Sequence, residues 1–324
     1  MSACFDDRIY GALLGTAVGD ALGMPIEGLS HTNVRTYYKG IKEYRDDVQR
    51  KDLQAGQWTD DTQCTFAVAD TIADISDPTD WPTGVADRYV ALQDEARRWG
   101  PTTTAAVKRL AAGVSPSASG GADRPTNGAA MRASPLGLWW AASDVDRSTA
   151  FGVIRSVLAV THQHPVSVCA GWGQAAALRY MVQQSPDTFD QADFWEVLIE
   201  STAWGEAALE TEAHLSEQIR DLAPDLDRFP LDLRDACGGV GVRADESWPF
   251  SCAMVARRPH LLENTLLSGI NVGGDADTTG AMMGALLGAL HGWEAFPTEW
   301  ATGLEALPTL KAKARAVVQR LGQA

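Results

Sequence analysis

Cysteine is scarce and has no pairing pattern. The five residues Cys4, Cys64, Cys169, Cys237 and Cys252 are odd in number and widely scattered, with no CxxC spacing. Neither a disulfide framework nor a zinc site is indicated, and a reducing cytoplasm fits best. Basic residues are also in deficit. Lys plus Arg number 27 against 42 Asp plus Glu, a net charge of −15, which argues against binding nucleic acid or an anionic membrane through bulk charge. The N-terminal MSACFDDRIYG carries acids where a leader peptide carries basic residues, and the apolar run that follows is cut by Asp20. No other uninterrupted apolar segment reaches the roughly 18 residues of a membrane span. Period-two alternation is missing too, so no strand is expected.

Glycine, in contrast, is patterned. It recurs every four positions at Gly280, Gly284, Gly288 and Gly292, and again at Gly11, Gly15, Gly19 and Gly23. On a helix this spacing keeps the glycines on one face, so a second helix can approach backbone to backbone. Two outcomes follow from the stripes alone. Either these helices pack on each other, joining the chain ends and bringing Asp20 or Glu27 near Asp275 and Asp277, or each stripe packs elsewhere. Glu27, in MPIEG, falls in a loop just past the first helix.

Two clusters of acids and hydroxyls open apolar helices. One is Thr59, Asp60, Asp61 and Thr62 in WTDDTQ; the other is Asp275, Asp277, Thr278 and Thr279 in GGDADTT. Such residues cap helix N-termini and suit the helix dipole. They are also the hard oxygen donors that Mg²⁺ or Mn²⁺ takes, and two such clusters could furnish a dinuclear site. Gly100-Pro101 and Asn127-Gly128 are turns opening helices, either plain turns or backbone donors for a phosphate. Arg132, a lone cation on an apolar helix, is expected to pair with a carboxylate or a bound anion. His162, in THQHP, is either a pocket hydrogen-bonder or a core histidine. Residues 30–57 read as a long loop, 113–126 as a domain boundary or a surface loop, and 224–248 as loop-rich. With 45% hydrophobic and 21% charged residues, the pattern predicts an all-α chain of many helices, one compact domain over residues 1–324.

Read together, GDALGMPIEG, WTDDTQ, NGAAMR, THQHP and NVGGDADTTGAMMGALLGALHG resemble the ADP-ribosylglycohydrolase family, in the family's order and over residues 6–293. The resemblance implies an orthogonal multi-helix bundle with a cleft for two divalent cations, Mg²⁺ or Mn²⁺. It implies that Thr59, Asp60, Asp61 and Asp277 hold one cation and Asp275, Asp277 and Thr278 the other, with Glu27 at the second. Gly100, Asn127, Gly128, Ala129 and His162 are then expected along the ADP-ribose, and Glu27, Asp60 or Asp61 as general base or acid. Val240 and Val242 stand where the family often has an aromatic residue, on the leaving-group side. The implied activity is cleavage of the glycosidic bond at C1″ of ADP-ribose, on a modified protein side chain or a small acceptor, by a cytoplasmic monomer with no membrane or nucleic-acid partner. A non-catalytic ADP-ribose-binding protein and a two-metal hydrolase of another ribosylated or phosphorylated metabolite are the alternatives.

Overall fold

The computed structural model describes residues 3–322. The described residues form eighteen α-helices joined by short helical turns and loops, with isolated β-bridges but no sheet among them. The expectation of an all-α chain holds.

Its axis is the pair formed by the helices Ala3–Gly23 and Ala276–His291. A Cβ added to Gly11, Gly15 or Gly19 would overlap the carbonyl oxygen of Gly288, Gly284 or Gly280 respectively, and the reverse overlaps hold as well. Rising numbers on one helix meet falling numbers on the other, so the two run antiparallel with their backbones in contact. The stripes therefore pack on each other. By length and composition the segment Phe5–Ile26 could cross a membrane, but 94% of its apolar window is buried inside the molecule. It is the central core element.

Other helices enclose this pair. Pro165–Gln183 packs on Ser134–Ala142, on Gln191–Ala208 and on the Ala276 helix; Leu307–Leu321 covers Asp60–Asp74 and the N-terminal helix. Their buried apolar residues join one cluster.

Two stretches differ from expectation. Residues 31–38 coil into short helical turns within the expected loop. The loop-rich span 224–248 contains the helix Pro230–Ala236 and the start of Ala244–Arg257, which accommodates Pro249 in its interior. The small-residue stretch 113–126 is tied down: Gly121 N–H donates to Thr161 O at 2.9 Å, and Pro125 O accepts from Ala244 N–H at 2.7 Å.

Candidate functional site

The glycine pair delivers Glu27 to one side of the site. Just past the N-terminal helix, Gly28 N–H donates to Gly274 O at 2.7 Å and Gly274 N–H donates to Leu29 O at 2.8 Å. Gly273 and Gly274 have φ of 85° and 74°, and a Cβ on either would strike the carbonyl oxygen of Leu29 or Val240. Only glycine fits both demands. Beside this bridge, Glu27, Asp275 and Asp277 offer carboxylate oxygens within 4.8 Å of one another.

The second acid cluster arrives on the helix Asp60–Asp74, whose first turn is capped from another helix. Asp20, with no exposed surface, accepts from Thr59 N–H, Thr59 Oγ1, Thr62 N–H and Thr62 Oγ1 at 2.6–3.0 Å. Asp20 thus replaces the local cap that this helix start would otherwise need. Its partner Thr59 also lies 3.4 Å from Asp61 Oδ2, which accepts from Thr278 Oγ1 at 3.2 Å. The two acid clusters meet there.

A cavity of about 250 Å³ opens over the junction. Glu27, Asp60, Asp275, Asp277 and Thr278 line one part of it; Gly100, Asn127, Gly128, Arg132 and His162 line another. Thr59 and Asp61 are buried behind this lining. Ala129 is the exception among the expected substrate residues. Fully buried, it packs against Gly171 and does not line the cavity.

Asn127 is also corrected in its chemistry. Its backbone N–H donates to Val242 O at 3.0 Å and is not free for a phosphate. Its side-chain Nδ2 donates to Asp275 Oδ2 at 2.6 Å and to Ser247 Oγ at 3.0 Å, fixing that carboxylate. Arg132, 1% exposed, has no carboxylate in ion-pair contact among the described residues. It donates to Gly128 O and Thr103 Oγ1 and lies 5.4 Å over the Tyr89 ring. His162 Nδ1 pairs with Thr161 Oγ1 at 2.8 Å.

Crowded, desolvated carboxyls resist ionisation. Burial, reinforced by Asp20, Asp60 and Asp275, pushes Asp61 well above the usual range; burial, with Glu27, Asp275 and Asp61 adding repulsion, does the same to Asp277. Burial raises Asp275 and drives Asp60 up to about 8 despite the opposing field of Arg132. Asp20 is pushed up to about 6, again by burial, against its four hydrogen bonds. Desolvation and the Arg132 charge keep His162 neutral at pH 7.

Asp61 Oδ1 is buried with no hydrogen-bond partner. An orphaned carboxyl oxygen beside a gathering of other carboxyls that resist ionisation on their own is what a cation would satisfy, so the residues fit a divalent metal. Thr59, Asp60, Asp61, Asp275, Asp277, Thr278 and Glu27 supply the donor set.

Sequence reasoning missed two arginines. Glu27 is paired with Arg50 and, at 3.2 Å, with Arg98, which also binds Asp47 at 2.6 Å and the Met24 carbonyl at 3.1 Å. Nothing local signals these pairings, because each joins residues more than twenty positions apart.

Comparison with known proteins identifies the family and the fold. A model of the ADP-ribosylglycohydrolase family matches residues 1–324. The ADP-ribosyl-[dinitrogen reductase] glycohydrolase of Rhodospirillum rubrum is 26% identical over 92% of this chain and 90% of its own length. ADP-ribosylhydrolase ARH3 of Danio rerio is 25% identical over 92% and 86%. A solved structure titled as an ADP-ribosylglycohydrolase-related protein complex superposes with a TM-score of 0.76 at 25% identity, covering 98% of this chain and 99% of that one. With its whole length matched, the chain belongs to the ADP-ribosylglycohydrolase family.

Proposed function

We propose that this protein hydrolyses the glycosidic bond at C1″ of ADP-ribose, releasing ADP-ribose from a modified side chain or small acceptor, with two divalent cations, Mg²⁺ or Mn²⁺. The observation that carries the reading is the cavity in which Glu27, Asp60, Asp275, Asp277 and Thr278 face the same space as Gly100, Gly128 and His162. The names of the relatives from R. rubrum and D. rerio point the same way.

Bound by the donor set above, the cations supply Lewis acidity and a water of lowered pKa. The chain's own residues do the rest. Gly128, which has no side chain, leaves room for the His162 ring to lie against its backbone, and the neutral imidazole gives that part of the lining a hydrogen-bonding face without a charge. Asn127 holds Asp275 through Nδ2. Asp61 is behind the lining, so proton transfer to or from the reacting group falls to Glu27 or Asp60, the expected acid–base candidates that face the cavity.

The test is direct. Arginine-, serine- and nucleobase-linked ADP-ribose are each incubated with the protein and Mg²⁺ or Mn²⁺, and free ADP-ribose is followed. Cation-dependent release from one of them is expected. Tight ADP-ribose binding with no release from any would replace this reading with a binding protein.

A further inference from the structure

A second cavity, a groove of about 1160 Å³, is lined partly by segments that continue into the acidic cavity. Glu27 and Asp275 line the cavity, whereas His31 and Asn271, each four residues away in the chain, line the groove. His31 Nδ1 bonds the Asn271 carbonyl oxygen at 2.8 Å. The groove therefore shares a wall with the segments that place the carboxylates.

It is an open groove and not an enclosed cleft of the kind that buries most of a small molecule. A length of polypeptide fits it better. Two apolar side chains at the groove, Phe229 and Leu261, are 73% and 52% exposed. Exposed anchors of this kind at a large concavity mark an interaction site.

Charge selects the occupant. Arg35, Lys39 and Lys42 line the groove, are exposed, and enter no ion pair among the described residues. The nearby Glu43 is taken by Arg45 at 2.7 Å. In a chain of net charge −15, these three cations against the two lining acids Asp232 and Glu263 leave the groove with a net charge of +1, opposite in sign to the whole molecule, with the positive side on one short segment. They attract an acidic partner. Asp232 and Glu263 also line the groove, so the partner's acids must lie on one side, with apolar residues facing Phe229 and Leu261.

We propose that this groove docks an acidic segment with an apolar face, belonging to the protein that carries the ADP-ribose. The identity of the carrier rests on the proposed glycohydrolase function; docking of the segment does not.

Two labelled peptides test this: one with Glu on one face and Leu and Phe on the other, and its counterpart with every Glu replaced by Lys. Fluorescence anisotropy is measured with the intact protein and with the double variant Arg35→Glu, Lys42→Glu. Binding of the acidic peptide is expected, weakening at least tenfold in the variant and falling between about 0.05 and 0.3 M salt, with no binding of the Lys peptide. Absence of acidic-peptide binding, equal binding by the variant, or sedimentation showing that self-association covers the groove would each overturn the proposal. Hydrolysis of a small ADP-ribosyl substrate is measured in parallel and is expected to be the same in both proteins. Its absence from both would overturn the catalytic reading and the carrier assignment, while the peptide result would still judge the docking.

Discussion

Asp20 accepts from both the backbone N–H, at 3.0 Å, and the hydroxyl, at 2.9 Å, of Thr59, a residue 39 positions away on another element. It makes the same pair of bonds to Thr62. One buried carboxylate on the glycine-striped helix thereby fixes the first turn of the helix that carries Asp60 and Asp61.

Asp20→Asn should therefore weaken both stability and cation binding. Removing the charge lowers a desolvation cost, but Asn offers one acceptor oxygen where two are used and turns an NH₂ group toward donors. The lost acceptor and the misdirected NH₂ group leave buried donors unpaired, and that decides the sign, at roughly 1–3 kcal/mol. Because Thr59 and Asp61 lose their support, Mn²⁺ affinity should also drop by roughly 10–100-fold. Calorimetric titration with Mn²⁺ checks this; unchanged affinity in a folded variant would reduce Asp20 to a cap.

A second prediction sets intrinsic helix propensity against overlap. Alanine is favoured over glycine inside a helix by about 1 kcal/mol, yet a Cβ at Gly284 would overlap the Gly15 carbonyl oxygen. The backbones must then separate, so Gly284→Ala should destabilise by roughly 1–3 kcal/mol. Gly152→Ala, with nothing within 4 Å of its added Cβ, should stabilise by roughly 0.5–1 kcal/mol. Urea denaturation of the two variants should give shifts of opposite sign.

These sites explain how much the sequence disclosed. A four-residue glycine period names a packing face, and a second identical period offers a partner for it, but whether the two faces meet depends on the tertiary fold and is not written in either stripe. The helix starts at Asp60 and Asp275 were legible from local chemistry. Of the two acids expected near Asp275 and Asp277, Glu27 is the one that joins them; that Asp20 bonds Thr59 and Thr62 instead depends on the crossing geometry of the helices, which no local pattern carries. Arg50 and Arg98 meet Glu27 only through tertiary folding. Asn127 read as a backbone donor because turn chemistry is local, whereas the carbonyl that takes its N–H, Val242 O, comes from a distant loop.

A third prediction separates function from stability at the carboxylates. Asp277→Ala and Asp61→Ala should abolish cation-dependent release of ADP-ribose, because each removes a donor from the proposed set. In the metal-free protein, Asp277→Asn should raise the melting temperature, since it removes one of several mutually repelling buried carboxyls. Full turnover in both alanine variants would sink the dinuclear site. A destabilised metal-free Asn variant would sink the repulsion argument.

The same repulsion gives a fourth prediction, in pH. Asp60 and Asp20 have pKa values near 8 and 6 in the folded chain against a reference of 3.8. Between about pH 4 and 8 the native state retains protons that the unfolded chain has released, so metal-free stability falls as pH rises. The slope is about 1.4 kcal/mol per pH unit for each proton retained. Divalent cations take the place of those protons, so the stabilisation by Mg²⁺ should grow over the same window, toward roughly 4 kcal/mol at a thousandfold excess over Kd. Thermal unfolding across that range, with and without Mg²⁺, reads both trends; a flat metal-free profile would count against them.

Gly128→Ala provides the fifth prediction, at a lining residue that is not one of the acids. The added methyl would lie 2.5 Å from His162 Cε1 and Nε2 and 3.2 Å from an Arg132 nitrogen. The imidazole is buried and held by Thr161, so it has little room to retreat, and both the methyl and any ring movement alter the substrate wall. Neither touches the carboxylates or the Asn127 side chain that holds Asp275. The variant should therefore raise KM for an ADP-ribosyl substrate while leaving Mg²⁺-induced stabilisation at its original size. Steady-state kinetics beside thermal shifts distinguish the cases. An unchanged KM would remove Gly128 and His162 from substrate contact, and a lost Mg²⁺ shift would mean that this wall also shapes the acidic cluster.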